Sequence, residues 1–230
     1  DQKYYPTTNG HVFNSFETSI RLKYAYLERF VVENFYRTSL GSSLPIIDFT
    51  FTHGWPGVLK SSYQYNKLQV NVSNIWNVPP YGKISYNFYA GKIDGTIPYQ
   101  FLEIMPGNEL NYYNRYSFNL MKRFEFLADQ YAGFSVEHNV GSGLFRYIPI
   151  TRKMKLRQLY SLKGVTGNLS KENEQLNFVG TYPFGSLNNK WYFEFGTGID
   201  NIFKLLRLDF VWRVTANDRV KQIQPAKFGV

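Results

Sequence analysis

The 230-residue chain contains no cysteine, which excludes a disulfide framework and any thiolate metal site while leaving the compartment undecided. It also lacks any run of about 18 apolar residues, so no helical membrane span is expected. Its mean hydropathy is −0.35. Residues 1–10 carry neither a basic stretch nor an apolar one, unlike a secretory signal. A chain bound for the outer membrane is therefore expected to have lost its signal peptide or to be the later part of a longer protein. Histidine is scarce: His11, His53 and His138 never fall into an H-x-x-x-H or H-E-x-x-H spacing, so zinc chemistry has little support. No P-loop occurs, and no G-x-G-x-x-G follows a strand. Gly196 and Gly198 lie within a strand, where glycine marks a bend or a close backbone approach. No catalytic, metal-ligating or cofactor-binding set can be assembled, and none is expected.

Aromatic residues, by contrast, are abundant, with 20 Phe and 19 Tyr. They favour half-buried pleated surfaces. The formal net charge is +9. The basic residues do not cluster as on a nucleic-acid-binding face; they recur on alternate strand positions, so no nucleic-acid partner is expected. A solvated surface without a partner is one reading of this charge. A lumen or rim near anionic headgroups is the preferred one.

Periodicity of two carries most of the chain. In 190–215, Trp191, Phe193, Phe195 and Ile199 alternate with Glu194, Gly196 and Gly198; then Leu206, Leu208, Phe210, Trp212 and Val214 alternate with Arg207, Asp209 and Arg213. Successive strand side chains point to opposite faces, so one face is apolar and the other charged. The same reading holds from Thr18 (Ile20, Leu22, Tyr24, Tyr26 against Arg21 and Lys23), over 46–53 and over 83–93. It also holds over 132–138, and from Met154 through Leu162 against Lys155, Arg157 and Lys163. Over 63–76 the apolar phase switches from Tyr63 and Tyr65 to Leu68, Val70 and Val72, which a β-bulge would produce. A further strand is expected over 117–131, interrupted near Lys122 and Arg123, and another begins at Lys227. Residues 29–43 have mixed character, and 168–188 reads as a polar loop. Roughly nine or ten strands result, spaced about 20 to 25 residues apart with long and short connections alternating, which suits an outer-membrane meander.

The segment 94–115 breaks the pattern with two prolines and two glycines. A connection of this length is functional or mobile more often than not. It is expected either as an extracellular loop or as a lumen-facing fold, an ordered cover over an aromatic rim being the alternative.

The fold expected is all-β: an antiparallel transmembrane β-barrel, with 1–230 its C-terminal part. The charged residues expected to face the lumen are Arg21, Lys23, Lys155, Arg157, Lys163, Glu194, Arg207, Asp209 and Arg213; those expected to face lipid are Phe193, Phe195, Leu208, Phe210 and Trp212. The phase is constrained because Arg or Lys at mid-bilayer on the lipid face costs about 2–4 kcal/mol. The lumenal charges read either as an internal network that fills the lumen or as a selectivity or guiding surface. Ser135 and Glu137 share a face, but no histidine joins them, so no hydrolase relay forms.

Several segments carry a family resemblance: IRLKYAYLERFV, KLQVNVSNIW, AGKIDGTIPYQFLEIMPGNE, YSFNLMKRFEFLADQYAGFSVEH, RYIPITRKMKLR and FGTGIDNIFKLLRLDFVWR. In order and spacing they resemble the C-terminal membrane portion of a DUF5686-type family of large bacterial outer-membrane proteins of unknown function. Members commonly carry an N-terminal carboxypeptidase-regulatory-like domain. The resemblance implies a barrel similar to the BamA-like surface-antigen superfamily, of about sixteen strands, of which this chain would be the second half or so. A V-R-G-F/Y loop motif of BamA-like proteins is not found. The function expected is a structural, assembly or transport component of the gram-negative outer membrane. It would not be an enzyme, and its partners would be outer-membrane lipid and the rest of its own barrel or another outer-membrane protein. A soluble β-protein binding a glycan or hydrophobic ligand is the alternative, and an outer-membrane hydrolase the third reading.

Overall fold

A computed structural model of the chain describes residues 14–110, 112–177, 184–215 and 228–229. The alternating segments are strands. β1 (Glu17–Tyr24), β4 (Ile46–Gly54), β5 (Tyr65–Asn77), β6 (Lys83–Asp94), β9 (Gln130–Gly141), β10 (Arg157–Asn168), β11 (Tyr192–Ile202) and β12 (Leu206–Arg213) are joined antiparallel in that order. At the β12 edge, β13 (Phe228–Gly229) adds two residues opposite Arg207 and Leu208. A hairpin of β2 (Arg29–Glu33) and β3 (Tyr36–Gly41) interrupts the β1–β4 connection, and β7 (Glu103–Ile104) pairs with β8 (Leu127–Ala128) inside the β6–β9 connection. Two short helices, α1 (Pro149–Met154) and α2 (Lys171–Asn177), lie on either side of β10. No helix among the described residues is long and apolar enough to cross a membrane, which says nothing of strands.

The meander puts the connections at two ends. Residues 25–45, 78–82, 142–156 and 203–205 lie at one, called the turn end below; 55–64, 95–129 and 169–191 lie at the other, the loop end. The expected alternation of long and short connections therefore holds only in part, because the β2–β3 hairpin and the α1 connection both sit at the turn end.

Directly opposed residues in an antiparallel pair share a face, so the register settles what each face carries. Through Arg21↔Thr50, Gln69↔Gly91, Glu137↔Ser161, Lys163↔Glu194 and Glu194↔Arg213, one face is polar and charged from β1 to β12. The other carries Ile20, Leu22, Phe49, Phe51, Val70, Phe88, Phe134, Leu162, Phe195, Phe210 and Trp212. Its aromatic rings form runs: Trp191 stacks on Phe193 at 5.5 Å, and Phe195 on Trp212 at 5.9 Å.

Cover lies on the polar face. Met105, Phe118, Met121 and Phe126 of the 95–129 insertion close a buried cluster on Tyr131, Val165 and Tyr192 of the sheet. Ile97, Tyr99, Leu102 and Leu127 close a second on Tyr65, Ile93 and Leu169. Among the described residues the apolar face has no such layer, and Phe195 and Trp212 are 40% and 49% exposed on it. This reverses the usual arrangement of a soluble sheet, in which the apolar face is the covered one.

Several expectations are corrected. β5 pairs with both neighbours without a register shift, so no bulge explains its change of apolar phase. Instead Tyr65 is a buried aromatic on the polar face, lying over Gly54 opposite it. Residues 117–126 form no strand and belong to the insertion; only Leu127–Ala128 and β9 follow. β10 begins at Arg157, because Met154 ends α1 and Lys155 has φ 52°. Residues 29–43, read as mixed, form the β2–β3 hairpin, and the polar stretch 168–188 contains α2. His11, Lys227 and Val230 lie outside the described residues, while Phe228–Gly229 of the last expected strand form β13.

Glycine positions make room for the interior tyrosines. Gly91 faces Tyr131 across the β6–β9 pair and Gly133 faces Tyr89. A Cβ at either would sit 2.5 Å from the opposing ring. The rings lie flat over the neighbouring strand because the glycines leave that surface empty.

Candidate functional site

The charged face beneath the insertion is the most elaborate polar arrangement among the described residues. Strand alternation turns Glu137, Lys163, Glu194 and Asp209 towards the insertion, where they are only 1–3% exposed. Charges so buried need partners or they cost several kcal/mol each, and the insertion supplies most of them. Glu194 accepts the backbone N–H groups of Asn119 and Leu120, both at 2.7 Å, and the Tyr192 hydroxyl at 2.8 Å. Lys163 donates to the carbonyls of Asn114 at 2.7 Å and Ser117 at 2.6 Å. Asn119 holds the turn from inside, accepting from the Asn114 amide at 2.7 Å and from Asn108 Nδ2 at 3.0 Å.

Glu137 stands at the centre of a second group. It pairs with Arg115 of the insertion, and its other oxygen accepts from Arg207 at 3.1 Å and from Tyr113 at 3.2 Å. Arg207 also grips Asp209 with two hydrogen bonds, at 2.7 and 2.9 Å. Two cations lie over the Tyr113 ring, with Arg207 at 4.4 Å and Lys163 at 4.8 Å from its centroid. Burial, reinforced by the Glu137 carboxylate, pushes the Tyr113 phenol up, so it remains a proton donor to Glu137 at physiological pH. Further out, Arg213 pairs with Glu125 at 3.2 Å and Lys67 with Glu103 at 3.0 Å. The insertion is thus tied to β5, β9, β10, β11 and β12.

α2 closes the loop end. Asn173 accepts from the Ile97 amide at 2.9 Å and donates to the Gly95 carbonyl at 3.0 Å and to Asp129 at 3.1 Å; Asn177 donates to the Ile97 carbonyl at 3.1 Å. Beside the insertion, a cavity of about 430 Å³ opens between Arg115, Ser117 and the sheet, lined by Asn71, Ser85, Ser135, Glu137 and Lys163.

Of the nine charged residues singled out in the sequence, five meet here: Lys163, Glu194, Arg207, Asp209 and Arg213. The other four do not. Arg21 pairs with Asp48 at 2.7 Å near the β1 edge, Lys23 with Glu28 at 2.9 Å, and Arg157 lies 3.9 Å from Asp200. Lys155 is exposed in the connection before β10. Phe193, Phe195, Leu208, Phe210 and Trp212 all lie on the apolar face. Sequence reasoning weighed Glu137 only as a relay partner of Ser135 and left it out of the charged set, and it missed Arg115, Tyr113 and Asn173. Glu137 was legible, since it alternates with Val136 and His138 as the charged residues of β11 and β12 do. The others lie where no period exists. No group of three His, Cys, Asp or Glu among the described residues could hold a metal ion.

In comparison with known proteins, residues 2–175 match the family described as "Family of unknown function (DUF5686) C-terminal domain". No curated protein matches the chain. Among solved structures it is similar to BamA from Haemophilus ducreyi lacking POTRA domains 1–3, with a TM-score of 0.55 and 12% identity, over 94% of this chain and 44% of that one. The likeness is one of fold, and the chain spans less than half of that structure.

Proposed function

The chain belongs to the DUF5686 family of unknown function, to its C-terminal domain, and from that membership we propose that it is the C-terminal part of a β-barrel in the gram-negative outer membrane. On this reading it is a structural, assembly or transport component without a catalytic centre.

One observation carries the proposal. From Ile20 on β1 to Trp212 on β12, the apolar face has an uncharged band across eight strands. The charged side chains on that face, Lys92 and Asp94, sit at the loop end and pair with each other at 2.8 Å. Water gives no reason to keep charge off an exposed face. Lipid does, at about 2–4 kcal/mol for each mid-bilayer Arg or Lys.

The sheet is open among the described residues, since β1 has β4 on one side and no strand on the other. Hydrocarbon offers its backbone groups no partner. The wall is therefore completed by strands from the rest of its own barrel or from another outer-membrane protein. Lipid is the remaining partner, and no nucleic acid is involved.

The test is refolding into liposomes followed by quenching with brominated lipid in single-tryptophan variants. Trp212, and tryptophan placed at Phe195 or Phe210, should be quenched, and the protein should show heat-modifiable migration in detergent gels. A protein that stays soluble and monomeric without detergent, with these positions unquenched, returns the chain to the soluble ligand-binding class.

A further inference from the structure

The two ends of the sheet differ in charge as well as in length of connection. At the loop end the two longer connections mix signs: 95–129 includes Glu103, Glu109, Glu125 and Asp129 beside its basic residues, and 169–191 includes Glu172 and Glu174, while the short 55–64 carries Lys60 alone. At the turn end, 25–45 balances Glu28 and Glu33 against Arg29 and Arg37, while 78–83, 142–156 and 203–205 contain no Asp or Glu. Each carries lysine instead, at Lys83, Lys153, Lys155 and Lys204. These four are exposed, and none has an ion-pair partner among the described residues. Each connection also exposes an aromatic ring: Tyr81, Tyr147 and Phe203, joined by Tyr26 from the first connection. Arg157 and Lys23 lie nearby but are already engaged with Asp200 and Glu28.

We propose that this ring of aromatic and unpaired lysine side chains at the turn end binds the headgroups of an anionic phospholipid leaflet and so fixes which way the barrel faces. The inference rests on the barrel reading above. Its chemistry is specific to such a surface. Aromatic rings settle at the level of the headgroups, where one part of the side chain is apolar and the other wet. Lysine stems lie along the acyl boundary while their ammonium groups reach the phosphates. Basic groups at such a surface are attracted to anionic lipid, and acid at the same depth would be repelled. The absence of acid from three of the four turn-end connections follows from the same rule. The loop end, with its mixed signs, has no such preference.

The experiment uses the intact protein in phosphatidylcholine vesicles with trace spin-labelled phosphatidylglycerol or phosphatidylcholine. It measures by electron paramagnetic resonance the fraction of each label held at the protein surface. The phosphatidylglycerol label should be held several-fold more than the phosphatidylcholine label. About 0.5 M salt should remove most of that excess by screening. The variant K83Q/K153Q/K155Q/K204Q should bring the ratio close to one, whereas K60Q/K171Q/K190Q at the loop end should leave it unchanged. Equal retention of both labels by the unaltered protein overturns the inference and points to a protein partner for the rim. So does a ratio that the turn-end variant does not lower. If neither label is held, the barrel reading fails and this inference with it.

Discussion

Glu194 shows what a single charged residue does on the covered face. It is the acceptor for two backbone amides of the insertion and for the Tyr192 hydroxyl. Glu194→Ala strands three buried donors, each costing about 1–3 kcal/mol when left unsatisfied. The expected result is a loss of several kcal/mol, read as a lowered denaturant midpoint in lipid or detergent. Glu194→Gln keeps one oxygen acceptor and should lose less. On the other face the rule is the opposite one. Phe210→Arg should destabilise the inserted protein by about 2–4 kcal/mol, while Phe210→Leu at the same site should cost a fraction of that. Equal effects of the two Phe210 substitutions would mean that the face does not meet lipid. The glycine sites are similarly directional. Gly133→Ala drives a methyl group into the Tyr89 ring, an overpacking expected to cost about 1–3 kcal/mol. Tyr89→Leu in the same chain should restore part of it.

Among elements, the insertion 95–129 behaves as a folded part of the wall. Its backbone groups are bonded to Asn173, Lys163 and Glu194, and its apolar side chains fill both buried clusters. Asn173→Ala removes hydrogen bonds to Ile97, Gly95 and Asp129, at about 1 kcal/mol each. Proteolytic nicking within 95–129 is then expected to accelerate at least several-fold, with the sheet left intact; an unchanged nicking rate would show that α2 does not restrain the segment. The long strands were legible from their sequence because each has one face that must be apolar, and a one-residue slip would put charge there. The β2–β3 hairpin was not, since Val32, Phe35 and Tyr36 are all exposed and no face is selected. α2 was missed for a different reason. Its inward positions, Asn173 and Asn177, are buried for their hydrogen bonds, so its sequence has no apolar stripe.

For the molecule as a whole, the outer-membrane reading proposed above puts lipid against the apolar face and water on the polar one, and the β1 edge, open among the described residues, tests it. On that reading the amides of Glu17–Tyr24 in the full membrane-inserted protein should exchange with deuterium as slowly as those of β6, because lipid tolerates no unpaired edge. Fast exchange along β1 alone would mean that no further strand completes the wall there. The sequence by itself determined the long strands of the sheet and the side of each that carries charge, because a period of two is local and follows from the backbone alone. It also determined that Phe195, Phe210 and Trp212 share a face opposite Glu194, Asp209 and Arg213. Only the tertiary structure decided that 95–129 lies on the charged face, that Glu137 joins Arg115 to Arg207, and that Arg21, Lys23, Lys155 and Arg157 stand apart. Those pairings join residues distant in sequence, some across aperiodic chain, and they are fixed by the need of each buried charge for a partner rather than by any repeat along the chain.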